Sequence, residues 1–191
     1  MLGLLHEAPL HGYELRQRLK ATLGTFRAFS YGSLYPTLRR MKEQGWICED
    51  EGDAEVVAGA PPLTGRRGKV VYKLTAEGKE HLQELLAEAG PSAWEDETFG
   101  VHFAFFGQTD PAVRVRILEG RRSRLEERRE GVRTSLARTR SRLDRYTLQL
   151  QEHGLESVER EVRWLTELIE TERRSTQDQS RTTPPTERGA P

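Results

Sequence analysis

The sequence predicts a mainly α protein with one small two-stranded sheet, and three observations lead there. Residues Ser30 to Gly45 carry start and stop signals for one short amphipathic helix. Two brief runs of β-forming residues, Trp46 to Glu49 and Val70 to Leu74, follow it. Beyond Asp110 and Pro111 a long helical pattern repeats leucine or valine at intervals of seven, in a seam that Arg122, Arg129 and Thr139 interrupt.

The 191 residues suffice for one ordinary domain, or for a small domain with an extension. Hydrophobic residues make up 35% and charged residues 31%, so the apolar core is thin for this length. Such a chain often completes its burial at a subunit interface. The formal net charge is zero, which confines any nucleic-acid site to a local patch. Cys48 is the one cysteine, which excludes an internal disulfide and fits a reducing compartment. The absence of a long apolar run and of a signal peptide predicts a cytoplasmic protein with no membrane partner.

Leu2 to Leu5 is the stub of a first helix, closed off before Pro9. Gly12 to about Leu23 forms a second, with Leu15 and Leu19 on its buried face and Arg16, Arg18 and Lys20 outside. The connection from Gly24 to Gly32 holds Phe26, Phe29 and Tyr31, rings suited to plug the gap between helices. In the third helix Ser33 is a good N-cap, Pro36 falls in the first turn, and Gly45 can take the left-handed conformation that ends it. Leu34, Leu38 and Met41 recur at i, i+4 and i+7 as a narrow apolar stripe. The remaining surface shows Ser33, Tyr35, Pro36, Thr37, Arg39, Arg40 and Lys42. Arg and Lys suit phosphates and guanine edges, while Ser, Thr and Tyr suit phosphates or bases. The plainer reading of such a face is solvation.

The two β runs would pair across Asp50 to Lys69, a long connection whose first part is acidic and whose end, Gly65-Arg66-Arg67-Gly68-Lys69, is basic. Its low apolar content and Pro61-Pro62 predict a mobile insert. Thr75 should cap a fourth helix running to about Glu88, with Gly78 an awkward interior residue and Gly90-Pro91 a break. Trp94 to Gly107 crowds Phe99, Phe103, Phe105 and Phe106. From Asp110 onward, Leu118, Leu125 and Val132 repeat at seven, and so do Leu136, Leu143 and Leu150, offset by four. His153-Gly154 should break this helix. Glu156 to about Arg173 forms the last, with Val158, Val162, Leu165 and Ile169 on one face. Ser175 to Pro191 is polar and expected to be disordered.

Three segments, in order, closely resemble the PadR family of bacterial winged helix-turn-helix regulators. They are Leu2-Gly3-Leu4-Leu5 with Pro9-Leu10-His11-Gly12-Tyr13-Glu14-Leu15, then Tyr31-Gly32-Ser33-Leu34-Tyr35-Pro36-Thr37-Leu38, then Gly68-Lys69-Val70-Val71-Tyr72-Lys73-Leu74-Thr75-Ala76-Glu77-Gly78. The resemblance implies a winged helix-turn-helix DNA-binding domain over residues 1–90, with a two-stranded wing. It implies a C-terminal helical dimerisation and effector domain over 91–174, ahead of a tail at 175–191. The insert at 50–65 is longer than the family's usual wing. The DNA-binding set would be Tyr13, Tyr31, Ser33, Tyr35, Pro36, Thr37, Arg39 and Arg40, joined at the wing by Arg66, Arg67 and Lys69. Dimerisation would use Leu125, Val132, Leu136, Leu143, Leu150 and Leu165.

Other groups admit two readings. Trp94, Phe99, Phe103 and Trp164 could line a small-molecule pocket or fill a core at the dimer interface. The arginine-rich stretch Arg114 to Arg145 is a solvated face, or a site for an anionic ligand or further DNA. The histidines His6, His11, His81, His102 and His153 lack metal-ligand spacing, so no metal site is expected. Gly65-Arg66-Arg67-Gly68-Lys69 lacks the spacing of a phosphate loop. No cofactor is expected, and no paired nucleophile and base suggests an enzyme. The expected function is a DNA-binding transcriptional repressor, a homodimer on a pseudo-palindromic operator; the resemblance implies that an effector entering near the dimer interface would change the spacing of the heads and release DNA. The alternative is a helical adaptor or sensor that keeps the winged shape without reading DNA.

Overall fold

In the computed structural model, which describes residues 1–24, 31–51 and 70–182, the apolar stub at the start of the chain is a short helix, α1 (Leu2–Glu7). It leads into a two-residue strand, β1 (Leu10–His11), and then α2 (Gly12–Leu23). The Glu14 carboxylate accepts the His11 backbone N–H at 2.9 Å, so an acid in the first turn fixes the start of α2. A 3₁₀ turn (Tyr31–Ser33) opens α3 (Leu34–Glu43). Strands β2 (Ile47–Glu51) and β3 (Val70–Leu74) precede α4 (Ala76–Ala87).

Among the described residues the sheet has three strands rather than the expected two, in the order β1-β3-β2, all antiparallel. The extra strand pairs Leu10 with Tyr72 and His11 with Val71. Two residues are too few to show an alternating pattern in the sequence. β2 also runs two residues past the expected Glu49, because Asp50 and Glu51 continue the ladder opposite Val71 and Val70.

One apolar cluster underlies these elements, drawing Leu4 and Leu5 from α1, Leu15 and Leu19 from α2, Leu34, Leu38 and Met41 from α3, and Leu82 and Leu86 from α4. The stripe on α3 is thus buried as its spacing requires. Gly45 takes φ 75° at the end of α3, as expected of a glycine stop. Thr75 caps α4 by accepting the Gly78 N–H at 3.0 Å. Ser33 stands at the start of α3 but makes no side-chain cap hydrogen bond, a departure from the expected N-cap. Its own backbone is helical there, at φ −88° and ψ −15°, within the 3₁₀ turn.

The chain divides into two units, Met1–Glu88 with Gly100–Gln108, and Ala89–Phe99 with Thr109–Pro191. After α5 (Pro91–Trp94) and α6 (Phe99–Ala104), a second 3₁₀ turn (Phe106–Gln108) precedes α7 (Pro111–Thr139). Asp110 caps α7, accepting the N–H groups of Ala112 and Val113 at 2.8 and 3.4 Å. A third 3₁₀ turn (Arg140–Arg142) ends it, and α8 runs from Arg145 to Thr182.

The expected break at His153-Gly154 is absent: both lie inside α8. A Cβ at Gly154 would meet open space, and an exposed helical glycine costs only ~1 kcal/mol relative to alanine. The reversal comes earlier, at Leu143, whose backbone is extended at φ −85° and ψ 139°. Asp144 then starts α8 by accepting the N–H groups of Tyr146 and Thr147. At the other end α8 continues through residues 175–182, where the polar composition predicts a disordered tail. Residues 183–191, the insert at 52–69, and Phe26 and Phe29 lie outside the described residues.

Two antiparallel helices joined by a short turn bury a stripe from each. Ile117, Leu118 and Leu125 of α7 and Val158, Val162, Leu165 and Ile169 of α8 are all buried. Leu125 and Leu165, expected at a subunit interface, are 2% and 0% exposed within this single chain. The heptad spacing is real, but the hairpin itself covers these two. Val132, Leu136 and Leu143 are half-buried, and Leu150 is 67% exposed.

Candidate nucleic-acid interface

With its stripe turned inward, α3 presents Ser33, Tyr35, Pro36, Arg39 and Arg40 to solvent and leaves Thr37 half-buried. The side chains differ in how free they are. Thr37 donates its hydroxyl to the Ser33 carbonyl at 2.7 Å, so its oxygen remains as an acceptor while its proton serves the helix. The Tyr35 ring packs over Gly12: a Cβ there would stand 3.3 Å from Cε1 and 3.4 Å from the hydroxyl oxygen. Glycine at the start of α2 therefore makes the seat for Tyr35, which is still 48% exposed. Behind them the buried Tyr72 hydroxyl is pushed above its usual range, by burial first, then by Glu49 and Tyr35, and stays neutral. Tyr13, in the first turn of α2, accepts the Gln17 side-chain N–H at 2.5 Å. Tyr31 falls in the 3₁₀ turn before α3.

The cations are sorted by the sheet. Lys42 pairs with Glu49 at 2.5 Å, and Lys73 pairs with Asp50, whose hydrogen bond raises the Lys73 ammonium above its usual range. Both acids come from β2. Arg39 and Arg40 make no ion pair among the described residues, so the unneutralised charge of α3 lies on these two. The wing residues Arg66, Arg67 and Lys69 lie outside the described residues.

The four aromatic residues of the expected effector pocket fall on both units, Trp94, Phe99 and Trp164 on one and Phe103 on the other. Phe99 and Trp164 meet edge-to-face, with centroids 6.4 Å apart. Trp94 packs on Gly120, where a Cβ would strike its ring. Phe103 packs against Phe106 at 5.0 Å within the other unit. In the arginine-rich stretch, Arg121 is the residue that is buried, at 7% exposure. It binds Glu161 at 2.9 Å, Asp96, and the Trp94 carbonyl at 3.2 Å, and its guanidinium lies 5.2 Å from the Phe99 centroid. Arg114, Arg133 and Arg140 pair with Glu172, Glu159 and Glu152 of α8. These partners are 58, 26 and 12 residues away, beyond any local spacing rule.

The sequence reading passed over one feature of the first unit, a cavity of about 510 Å³ beside α3. Among the described residues no group of three or more His, Cys, Asp or Glu could hold a metal, and no helix is long and apolar enough to cross a membrane.

The Transcriptional regulator PadR-like family matches residues 1–84. Among curated proteins, the negative transcriptional regulator PadR of Bacillus subtilis (strain 168) is 29% identical over 91 residues. That match takes in 48% of this chain and 45% of the relative, so the chain spans less than half the length of the curated protein it matches. Among solved structures, Bacillus subtilis PadR in complex with operator DNA is 20% identical, with 90% of this chain and 96% of that one covered and a TM-score of 0.39. A PadR-like transcriptional regulator from Bacillus cereus is 21% identical, with 91% and 96% covered and a TM-score of 0.41. Bacillus subtilis PadR in complex with p-coumaric acid gives 20% identity, 90% and 95% coverage and a TM-score of 0.39. At these scores the likeness does not extend to the geometry of a site.

Proposed function

We propose, from the match of residues 1–84 to the Transcriptional regulator PadR-like family, that this chain is a cytoplasmic, non-enzymatic, DNA-binding transcriptional repressor that works as a homodimer. The observation that carries the reading is α3 itself. Its apolar stripe is consumed by the head, and its outer face holds Arg39 and Arg40 without acid partners among the described residues. Two such helices related by a two-fold axis would enter successive major grooves of a pseudo-palindrome, about 34–36 Å apart. Residues near the helix start penetrate deepest, so Tyr35 and the Ser33–Thr37 turn face base edges, while Arg39 and Arg40 meet phosphates. An effector would act by preferring one arrangement of the dimer over another.

The variants should then fail differently. Tyr35→Ala should lose about 1–3 kcal/mol on the preferred duplex and blur sequence preference. Arg39→Ala and Arg40→Ala should weaken all duplexes alike, each lowering the salt slope by about one per lost phosphate contact. Lys42→Ala should matter less, since Glu49 already holds that ammonium. The measurement is titration of folded variants against a duplex selected from random DNA and a scrambled control, at several salt concentrations. Wild-type affinity in all three of Tyr35, Arg39 and Arg40 variants would remove α3 as the reader.

Dimerisation rests on what the hairpin leaves uncovered, namely Tyr146 and Leu150, 79% and 67% exposed, together with the half-buried Leu143. Leu143→Arg with Leu150→Arg should turn a micromolar dimer into a monomer in sedimentation. A monomeric wild type at that concentration would end the dimer reading.

A further inference from the structure

The α7–α8 hairpin matches its arginines to acids along most of its length. Arg114, Arg121, Arg133 and Arg173 each reach an acid on the facing helix, and Arg124 and Arg128 reach Glu95 and Asp96. The pairing stops at the turn. Arg138, Arg142 and Arg145 are exposed and make no ion pair among the described residues. Arg140 pairs with Glu152, yet its side chain stays 67% exposed. From residue 131 to residue 151 the sequence holds five arginines, no lysine and a single acid, Asp144. That carboxylate is committed to the start of α8, where it accepts the N–H groups of Tyr146 and Thr147 and the Thr147 hydroxyl. In a chain of zero formal net charge, the tip is a concentrated positive end. A merely solvated face mixes its signs, as the rest of α7 does, whereas a one-signed tip repels itself.

The neighbours of these arginines narrow the partner. Gly131, Thr134, Ser135 and Arg138 line an open groove on α7, with Glu127 and Glu130 at its other end. Thr134, Ser135 and, in the 3₁₀ turn, Ser141 are exposed hydroxyl groups close to the cations in sequence. Guanidinium forks among hydroxyls are the donor set of nucleic-acid backbone contacts. A lipid surface or a protein partner calls for apolar side chains among the cations. The exposed ones here, Tyr146 and Leu150, lie on α8 and serve the subunit contact proposed above. We propose that the hairpin tip is a second DNA contact, in which Arg138, Arg142 and Arg145 bind duplex phosphates without reading sequence. In this division α3 supplies preference and the tip adds affinity for any duplex. The tip contact does not require α3 to be the reader.

The test combines Arg138→Gln, Arg142→Gln and Arg145→Gln in the full chain, exposed substitutions that leave stability nearly unchanged. Wild type and the triple variant are titrated against a random-sequence duplex at several salt concentrations, with sedimentation to follow the dimer and circular dichroism to follow folding. The slope of log affinity against log salt should fall by roughly 0.9 per lost contact, about 2.7 in the triple variant. The ratio of affinities for a selected and a random duplex should stay as in wild type. A chain carrying Arg39→Ala and Arg40→Ala should still bind the random duplex, and should lose that binding when the three tip substitutions are added. Polyglutamate of matched charge and phosphatidylserine vesicles should not displace the duplex from that chain. An unaltered salt slope in the folded triple variant overturns the proposal. So does displacement by polyglutamate or by the vesicles, which would assign the tip to an acidic protein or to lipid. A triple variant that becomes monomeric would place the arginines in the subunit contact and overturn it as well. Tip-dependent binding of random duplex, with no preference for the selected one in wild type, would uphold the tip and sink the α3 reading alone.

Discussion

Replacing Gly78 with alanine will destabilise the head by about 3 kcal/mol, although the same change in an open helix would stabilise it by roughly 1 kcal/mol. The sign is reversed by what lies next to the residue. A Cβ at position 78 would fall on the backbone carbonyl of Trp46, with the Leu74 side chain 3.0 Å away. That carbonyl accepts the Thr75 N–H at 3.1 Å, and the Trp46 N–H in turn is bound to the Met41 carbonyl at 3.0 Å. The junction therefore ties the end of α3 to the start of α4 through these backbone bonds and the Thr75 hydroxyl, which donates to the Gly45 carbonyl at 2.6 Å, and a methyl group there must displace one or the other. Urea unfolding of the full chain followed by circular dichroism measures the effect. An unchanged or raised midpoint would show that the backbone gives way at little cost.

The second large effect is expected at Arg121. Removing one partner of a buried ion pair commonly costs about 3–5 kcal/mol, because the charge left behind is neither solvated nor paired. Here the side chain is 9% exposed, but Glu161 and Asp96 are 32% and 56% exposed, so water recovers part of the loss. Arg121→Ala should destabilise the chain by about 2–3 kcal/mol, which includes the contact over the Phe99 ring. The loss should depend on pH. The Arg121 hydrogen bond holds the Asp96 carboxyl below its ordinary value of 3.8, with help from the charges of Arg121, Arg128 and Arg124 against the opposing effect of burial. A depressed carboxyl contributes stability that is fully present above its unfolded value and disappears as pH falls through the folded one. The gap between wild type and Arg121→Ala should therefore be constant near neutrality and narrow below about pH 4. A gap that does not change down to pH 2 would mean that Asp96 takes no part.

The elements that could be read in the sequence are those whose signals are local. Leu34, Leu38 and Met41 define a helix face by spacing, Gly45 marks its end, and Thr75 and Asp110 cap helices within three residues of themselves. What could not be read depends on partners far away in the chain. β1 exists because Tyr72 and Val71 come to lie beside Leu10 and His11. The reversal at Leu143 was hidden because the heptad of Leu136, Leu143 and Leu150 runs straight through it, and His153-Gly154 offered a more obvious but unused stop. Leu125 and Leu165 carry a spacing suited to a partner chain, and the same spacing serves a hairpin folded on itself. At the candidate site, the outward residues of α3 follow from its stripe. The restraint of Lys42 by Glu49, the seating of Tyr35 on Gly12 and the cavity beside Arg40 all require the sheet and α4 to be in place.

The strand order β1-β3-β2 also constrains the sequence of events in folding. The middle strand is the last of the three along the chain, so the first two cannot pair with anything until it arrives. Leu10 meets Tyr72, and Ile47 meets Leu74. On a ribosome, helices α1 to α3 can form as they emerge, but the sheet must wait for residues 70–74 and then close its longest loop in one step. The helix that carries Arg39 and Arg40 is therefore made early and positioned late, by the same strand that leads into the Thr75 cap.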